Sequence, residues 1–200
     1  YTEYGVNCYH LPMSSHDKDR QRIIERINSL KTDRPVNLMA WSSWMDIDDH
    51  NFYNRGGPII DGLMMSLQQE DIDVNLIFRS TSYNLNCKIW QLGRVEIIDQ
   101  YLEDDKVEET LYRGDIYLLP SRQLHSITLT SAFSYGMLCA VGQGWGFSEF
   151  CVDGLNCLIE SNDEYYTGEG EGTLGEYISK TSDRLAHLCK NRELLAKMSE

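Results

Sequence analysis

Apolar residues along this 200-residue chain alternate between two rhythms. At 19–30, Ile23, Ile24 and Ile27 recur at three- and four-residue steps, which predicts a helix closed by Thr32-Asp33-Arg34-Pro35. The unbroken apolar run at 36–41 then predicts a buried strand. Helical spacing returns at 58–69, where Ile59, Ile60, Leu63, Met64 and Leu67 share one face, and at 104–112, a short acidic segment. Strands are predicted at 74–78, 95–98, 116–119, 137–141 and 157–159, a small-residue helix ends at Gly136, and helices at 174–197 close the chain. The stretch 80–91 reads as strand or irregular structure. Strands alternating with helices predict β-α units around a parallel sheet, that is, a three-layer α/β/α, Rossmann-like domain.

Such a sheet binds ligands beyond the carboxyl ends of its strands, where the strand order reverses. The segments that follow the predicted strands are therefore the candidate rim: Ser42 and Ser43, Arg79 to Ser82, Asp99 and Gln100, Ser121 to Ser126, and Gly142 to Gly146. The run 115–160 is the most informative. Its strand ends at Pro120-Ser121-Arg122 and a helix follows, which sets a helix N-terminus, with its unpaired amides and positive dipole end, at the end of a buried strand. That arrangement suits a phosphate held near Ser126, Ile127 and Thr128, with Arg122 as a nearby cation. Arg55, placed directly before Gly56-Gly57 and Pro58, is a second guanidinium able to clamp a diphosphate with two prongs. Each arginine has an ordinary alternative as a surface or ion-paired residue.

Charge and composition narrow the ligand. A net charge of −13 excludes a large footprint on nucleic acid or on an anionic membrane surface. A phosphate must therefore be held by local cations and dipoles. The acidic runs 103–109 and 160–176 read as a solvated helix face and a surface loop. Six cysteines lack a C-x-x-C pair and clustered histidines, so they read as free thiols of a reducing, cytoplasmic setting rather than a zinc site or disulfide framework. Asp46, Asp48, Asp49 and His50 lack the glycine and distal Glu of a calcium loop and read as an acidic turn. No apolar run approaches the length of a membrane span. The chain reads as one domain, 1–200, excised from a larger protein.

Several segments resemble, in order, the C-terminal, donor-binding domain of retaining GT-B glycosyltransferases of the family-4 type. Tyr4-Gly5-Val6 with His10-Leu11-Pro12 is similar to that family's opening strand. Arg55-Gly56-Gly57 is similar to its Lys-Gly step. Pro120-Ser121-Arg122, the helix to Gly136, the turn Gly142 to Gly146 with Glu149, and Val152-Asp153-Gly154-Leu155-Asn156 resemble its central motif. The resemblance implies a nucleotide-diphosphate sugar as donor, hexosyl transfer to a saccharide or other acceptor as in polysaccharide biosynthesis, and no metal or other cofactor in this domain. It also implies that the acceptor and any catalytic base belong to an N-terminal domain, so the isolated domain is expected to be inactive. Donor sugar and ribose contacts would fall on Gln123, His125, Ser131, Gly144, Trp145 and Glu149.

The chain departs from that pattern in two places. The family's paired glutamates, separated by seven residues, fall on Gln123 and Ser131, and a one-residue change of register brings Leu124 or His125 to the first position. Where many members place Gly-Arg after the first strand, this chain has Ser42-Ser43-Trp44, so one expected phosphate cation is absent. A catalytically degenerate scaffold or partner-binding domain is the alternative reading.

Overall fold

The computed structural model describes residues 18–41, 56–79, 94–121, 126–143, 146–160 and 173–200. Helix α1 (Arg20–Ser29) leads into β1 (Val36–Trp41), then α2 (Gly57–Gln69), β2 (Val74–Arg79) and β3 (Val95–Ile98). Helix α3 (Asp104–Leu111), β4 (Ile116–Leu119), α4 (Ser126–Ser134) and β5 (Leu138–Gly142) follow. A 3-10 turn (Phe147–Glu149), β6 (Cys157–Glu160), α5 (Thr173–Lys190) and α6 (Arg192–Ser199) complete the order. The predicted stretch 80–91 lies outside the described residues.

The strands form one sheet in the order β3-β2-β1-β4-β5-β6. All neighbours are parallel, as alternation with helices predicts. Strands buried on both faces send alternate side chains into two cores. Leu38, Ala40, Leu76, Phe78 and Leu118 face α2, α5 and α6, whose Leu63, Leu67, Leu185 and Leu195 are almost wholly buried. Met39, Trp41, Ile77, Tyr117, Cys139 and Val141 face the other way, towards Leu129 and Ala132 of α4 and Tyr112 and Tyr135. Truncating a side chain such as Leu63 to Ala would cost about 2–5 kcal/mol. The result is the expected three-layer α/β/α domain.

Small differences from the predicted bounds have local causes. The strand predicted at 137–141 runs one residue later because Met137 N–H closes the end of α4, donating to Ala132 O at 3.0 Å. Gly136, with φ +67°, makes that reversal, and a Cβ there would lie 2.7 Å from Ile23 Cγ2, so a bare backbone also lets α1 pack close. β2 extends to Arg79 because that residue pairs with Trp41 on one side and Ile98 on the other.

A buried ion cluster at the amino ends of the strands joins α1 to the sheet. Asp115, fully buried just before β4, accepts from Arg26 Nη1 at 2.8 Å, from Arg34 Nη1 and Nη2 at 2.7 and 2.9 Å, and from Asn37 N–H at 2.9 Å. Arg26 Nη2 also donates to Tyr135 O and Gly136 O at 2.9 and 2.7 Å. Burial pulls the Arg26 guanidinium below its ordinary value, and Asp115 works against that shift. The cluster lies at the rim opposite the candidate site, so its role is structural.

Candidate functional site

Because the six described strands all run the same way, their carboxyl ends share one rim. The order reverses between β1 and β4: β2 and β3 extend to one side, β5 and β6 to the other. The crevice beyond Trp41 and Leu119 is therefore the topological switch point. Two helices begin there. Gly56, buried with φ +78°, opens α2, and a Cβ at this position would meet Pro120 Cγ at 2.7 Å and Pro120 O at 3.0 Å. The start of α2 thus rests on the end of β4. Glycine is required both by the left-handed backbone and by the close approach. Pro58 in the first turn suits that start, and Gly56 O accepts from both Ile59 and Ile60 N–H at 3.0 Å.

The second helix is α4, whose Ser126 is joined to Ser121 of the same rim by four residues. Its first turn directs the positive end of the helix dipole to the β4 side of the crevice. Ile127 in that turn is 69% exposed, so the turn is open to solvent, while Thr128 is half-buried. Ser131 lies one turn further on and is half-buried; its carbonyl accepts from Ser134 Oγ at 2.7 Å and Tyr135 N–H at 3.1 Å. Glu149 ends the 3-10 turn that follows β5 and is exposed, with its N–H donating to Gly146 O at 3.2 Å. Buried Phe147 pins that turn to the sheet. Gly56, Ser126, Ile127, Thr128 and Glu149 are therefore all carried by segments that follow carboxyl ends of strands. Arg55, Arg122, Gln123, His125, Gly144 and Trp145 lie outside the described residues, as do the serines and acidic turn at 42–50.

The motif Val152 to Asn156 holds the fold in a way its sequence does not reveal. Asn156 Oδ1 accepts from Val152 N–H and its Nδ2 donates to Phe150 O, both at 2.8 Å, closing the turn. Asp153 accepts from Ile159 N–H at 2.8 Å and from Arg184 at 2.6 Å, and Arg184 also donates to Glu160 at 2.6 Å. Burial tends to raise the Asp153 carboxyl, but the Ile159 amide and Arg184 outweigh it and hold it below its ordinary value. Side-chain chemistry here braces β6 against α5.

Sequence reading placed Arg79 on the rim without assigning it a role. Its guanidinium lies over the Trp41 ring, 4.7 Å from the centroid, while Tyr117 Oη donates to Trp41 O at 2.9 Å. No local signal pairs residues so far apart in the chain. Burial lowers the Arg79 guanidinium from its ordinary value, and neighbouring Tyr101 opposes that shift. Grooves among the described residues lie elsewhere: one of about 490 Å³ between α1 and α4, lined by Ile23, Ile24 and Phe133, and one of about 420 Å³ at the amino end of β2, lined by Asp73 and Arg94. Among the described residues no group of three or more His, Cys, Asp or Glu could hold a metal ion, and no helix is long and apolar enough to cross a membrane.

No family model matches the chain, and no curated protein matches it. Solved structures do. The C-terminal domain of a glycosyl transferase group 1 family protein (LpcC) from Francisella tularensis superposes with a TM-score of 0.62 at 12% identity, over 94% of this chain and 89% of that one. WaaG, a glycosyltransferase involved in lipopolysaccharide biosynthesis, gives 0.56 at 15% identity, over 94% of this chain and 53% of its own. Anabaena Alr3699/HepE, solved in complex with UDP and glucose, gives 0.55 at 14% identity, over 91% of this chain and 47% of its own. The chain thus spans about half the length of WaaG and of HepE. At these identities the likeness is one of fold, and that fold is the Rossmann-like α/β/α architecture of the C-terminal domains of GT-B glycosyltransferases.

Proposed function

We propose that this chain is the donor-binding domain of a glycosyltransferase and takes a nucleotide-diphosphate sugar into the crevice between β1 and β4. The observation that carries this reading is the seating of Gly56 against Pro120, which brings the start of α2 to the end of β4 at the switch point. Arg55, bonded to Gly56, would clamp the diphosphate together with Arg122 and the first turn of α4 at Ser126, Ile127 and Thr128. Stabilising negative charge on a departing diphosphate is the main electrostatic task of such a reaction, and fixed dipoles perform it without reorganising. Gln123, His125, Ser131, Gly144, Trp145 and Glu149 would orient the sugar and ribose. HepE, a neighbour in fold, was also solved with UDP-glucose, which supports this ligand class.

In this reading the acceptor, a saccharide or other hydroxyl compound, and the catalytic base are supplied by an N-terminal domain. No metal is required here, retention of configuration follows the family-4 type, and the setting is cytoplasmic, in accord with four buried free thiols. Calorimetric titration with UDP-, GDP- and ADP-sugars tests the proposal. Binding of at least one, weakened by Arg55→Ala, is expected, with no transfer by the isolated domain. A second reading, a non-catalytic scaffold, is favoured by the Gln and Ser that stand where a paired-glutamate motif would fall. A folded protein that binds none of the panel would establish that reading instead.

A further inference from the structure

Arg79 is a cation of the rim whose guanidinium lies over the Trp41 ring, with Tyr101 nearby, and which no carboxylate holds among the described residues. Among the described residues near the carboxyl ends of the strands, Arg184 is held by Asp153 and Glu160 and Lys106 by Glu109, whereas no carboxylate holds Arg79. Its Nε is buried and makes no hydrogen bond among the described residues. A buried unmet donor costs stability.

The direction of the side chain is informative. Arg79 and Trp41 are register partners on adjacent parallel strands, and the guanidinium lies over the Trp41 ring. It therefore leans from β2 towards β1, the strand that borders the β1/β4 crevice. Period-two alternation from Ile77 puts Arg79 on the sheet face that also carries α4. Strands about 4.8 Å apart leave the end of β4 roughly 10 Å from β2, and the lean towards β1 carries the guanidinium part of that way. Stacking on the indole face orients the guanidinium by cation–π attraction without using its in-plane N–H groups.

We propose that Arg79 contacts the diphosphate of the nucleotide donor, supplying from the end of β2 the positive charge that Ser42-Ser43-Trp44 does not supply after β1. This rests on the donor-site reading above. It assigns Arg79 to the phosphates and not to the base.

The test titrates the whole chain with UDP, GDP and ADP and with uridine, guanosine and adenosine, for the wild type, Arg79→Ala and Arg79→Lys. For whichever diphosphate binds, Arg79→Ala should weaken it about tenfold or more and flatten the salt dependence of binding, while affinity for the matching nucleoside changes less than about twofold. Arg79→Lys should recover part of the loss, and an unchanged melting temperature for either variant shows that the fold is intact. An Arg79→Ala affinity within about twofold of wild type, or an equal loss for the nucleoside, overturns the assignment and leaves the donor-site reading standing. Failure of the wild type to bind any of the three diphosphates overturns both.

Discussion

Replacing Asp115 by Asn removes one negative charge from a wholly buried site while keeping its volume. The carboxylate takes four hydrogen bonds from three residues, at 2.7 to 2.9 Å. Asn offers one oxygen in place of two and turns two donors towards guanidinium groups that are themselves donors only. Arg34 is partly exposed and can turn to water, but the Arg26 side chain is only 8% exposed and retains just the carbonyls of Tyr135 and Gly136. An uncompensated buried charge of this kind costs about 3–5 kcal/mol, a large share of the ~5–15 kcal/mol that holds a typical domain together. For a chain of this size that corresponds to a fall in Tm of roughly 6–20 °C. Urea denaturation of wild type and Asp115→Asn, followed by far-UV circular dichroism, measures the difference, and Arg34→Gln should cost clearly less. A loss below about 1 kcal/mol for Asp115→Asn would show that water or rearrangement satisfies Arg26, and the account of the amino-rim cluster would be wrong.

Three further outcomes are expected. Gly56→Ala forces a left-handed backbone and a 2.7 Å approach to Pro120 Cγ, so it should lose about 2–4 kcal/mol in urea denaturation; near-wild-type stability would contradict the seating of α2 on β4. Asp153 is held below its ordinary 3.8 in the folded state, so the stability it adds is complete above that value and is lost as pH falls through the lower, folded one. Because the carboxylate is half exposed, the gap between wild type and Asp153→Asn should be only about 0.2–1 kcal/mol at neutral pH and should shrink towards pH ~3; a gap constant across that range counts against the Arg184 pairing. Burial pushes the thiols of Cys139 and Cys189 up, the latter to about 12, and a hydrogen bond with Cys151, together with burial, pushes up Cys157. Iodoacetamide near neutral pH should therefore label these three only after denaturant is added, as read by peptide mass spectrometry, and prompt labelling of the native protein would refute their burial.

The order and type of the described elements were legible in the chain because both signals are local. Three- and four-residue steps at Ile59 to Leu67 define a helical stripe, and unbroken apolar runs such as 36–41 define strands buried on both faces. A parallel sheet, and with it a common rim bearing Ser126, Glu149 and Arg79, follows from the alternation of those elements. Register and long-range partnership did not follow, since they depend on which surfaces meet once the chain has closed on itself. Arg26 and Asp115 are 89 residues apart, and neither periodicity nor composition links them. The same holds for Arg79 over Trp41 and for Gly56 against Pro120. Local hydrophobic pattern therefore determined what each segment becomes, whereas only tertiary packing decided which charges are neutralised, which glycine must stay bare, and which guanidinium at the rim lies over an aromatic ring.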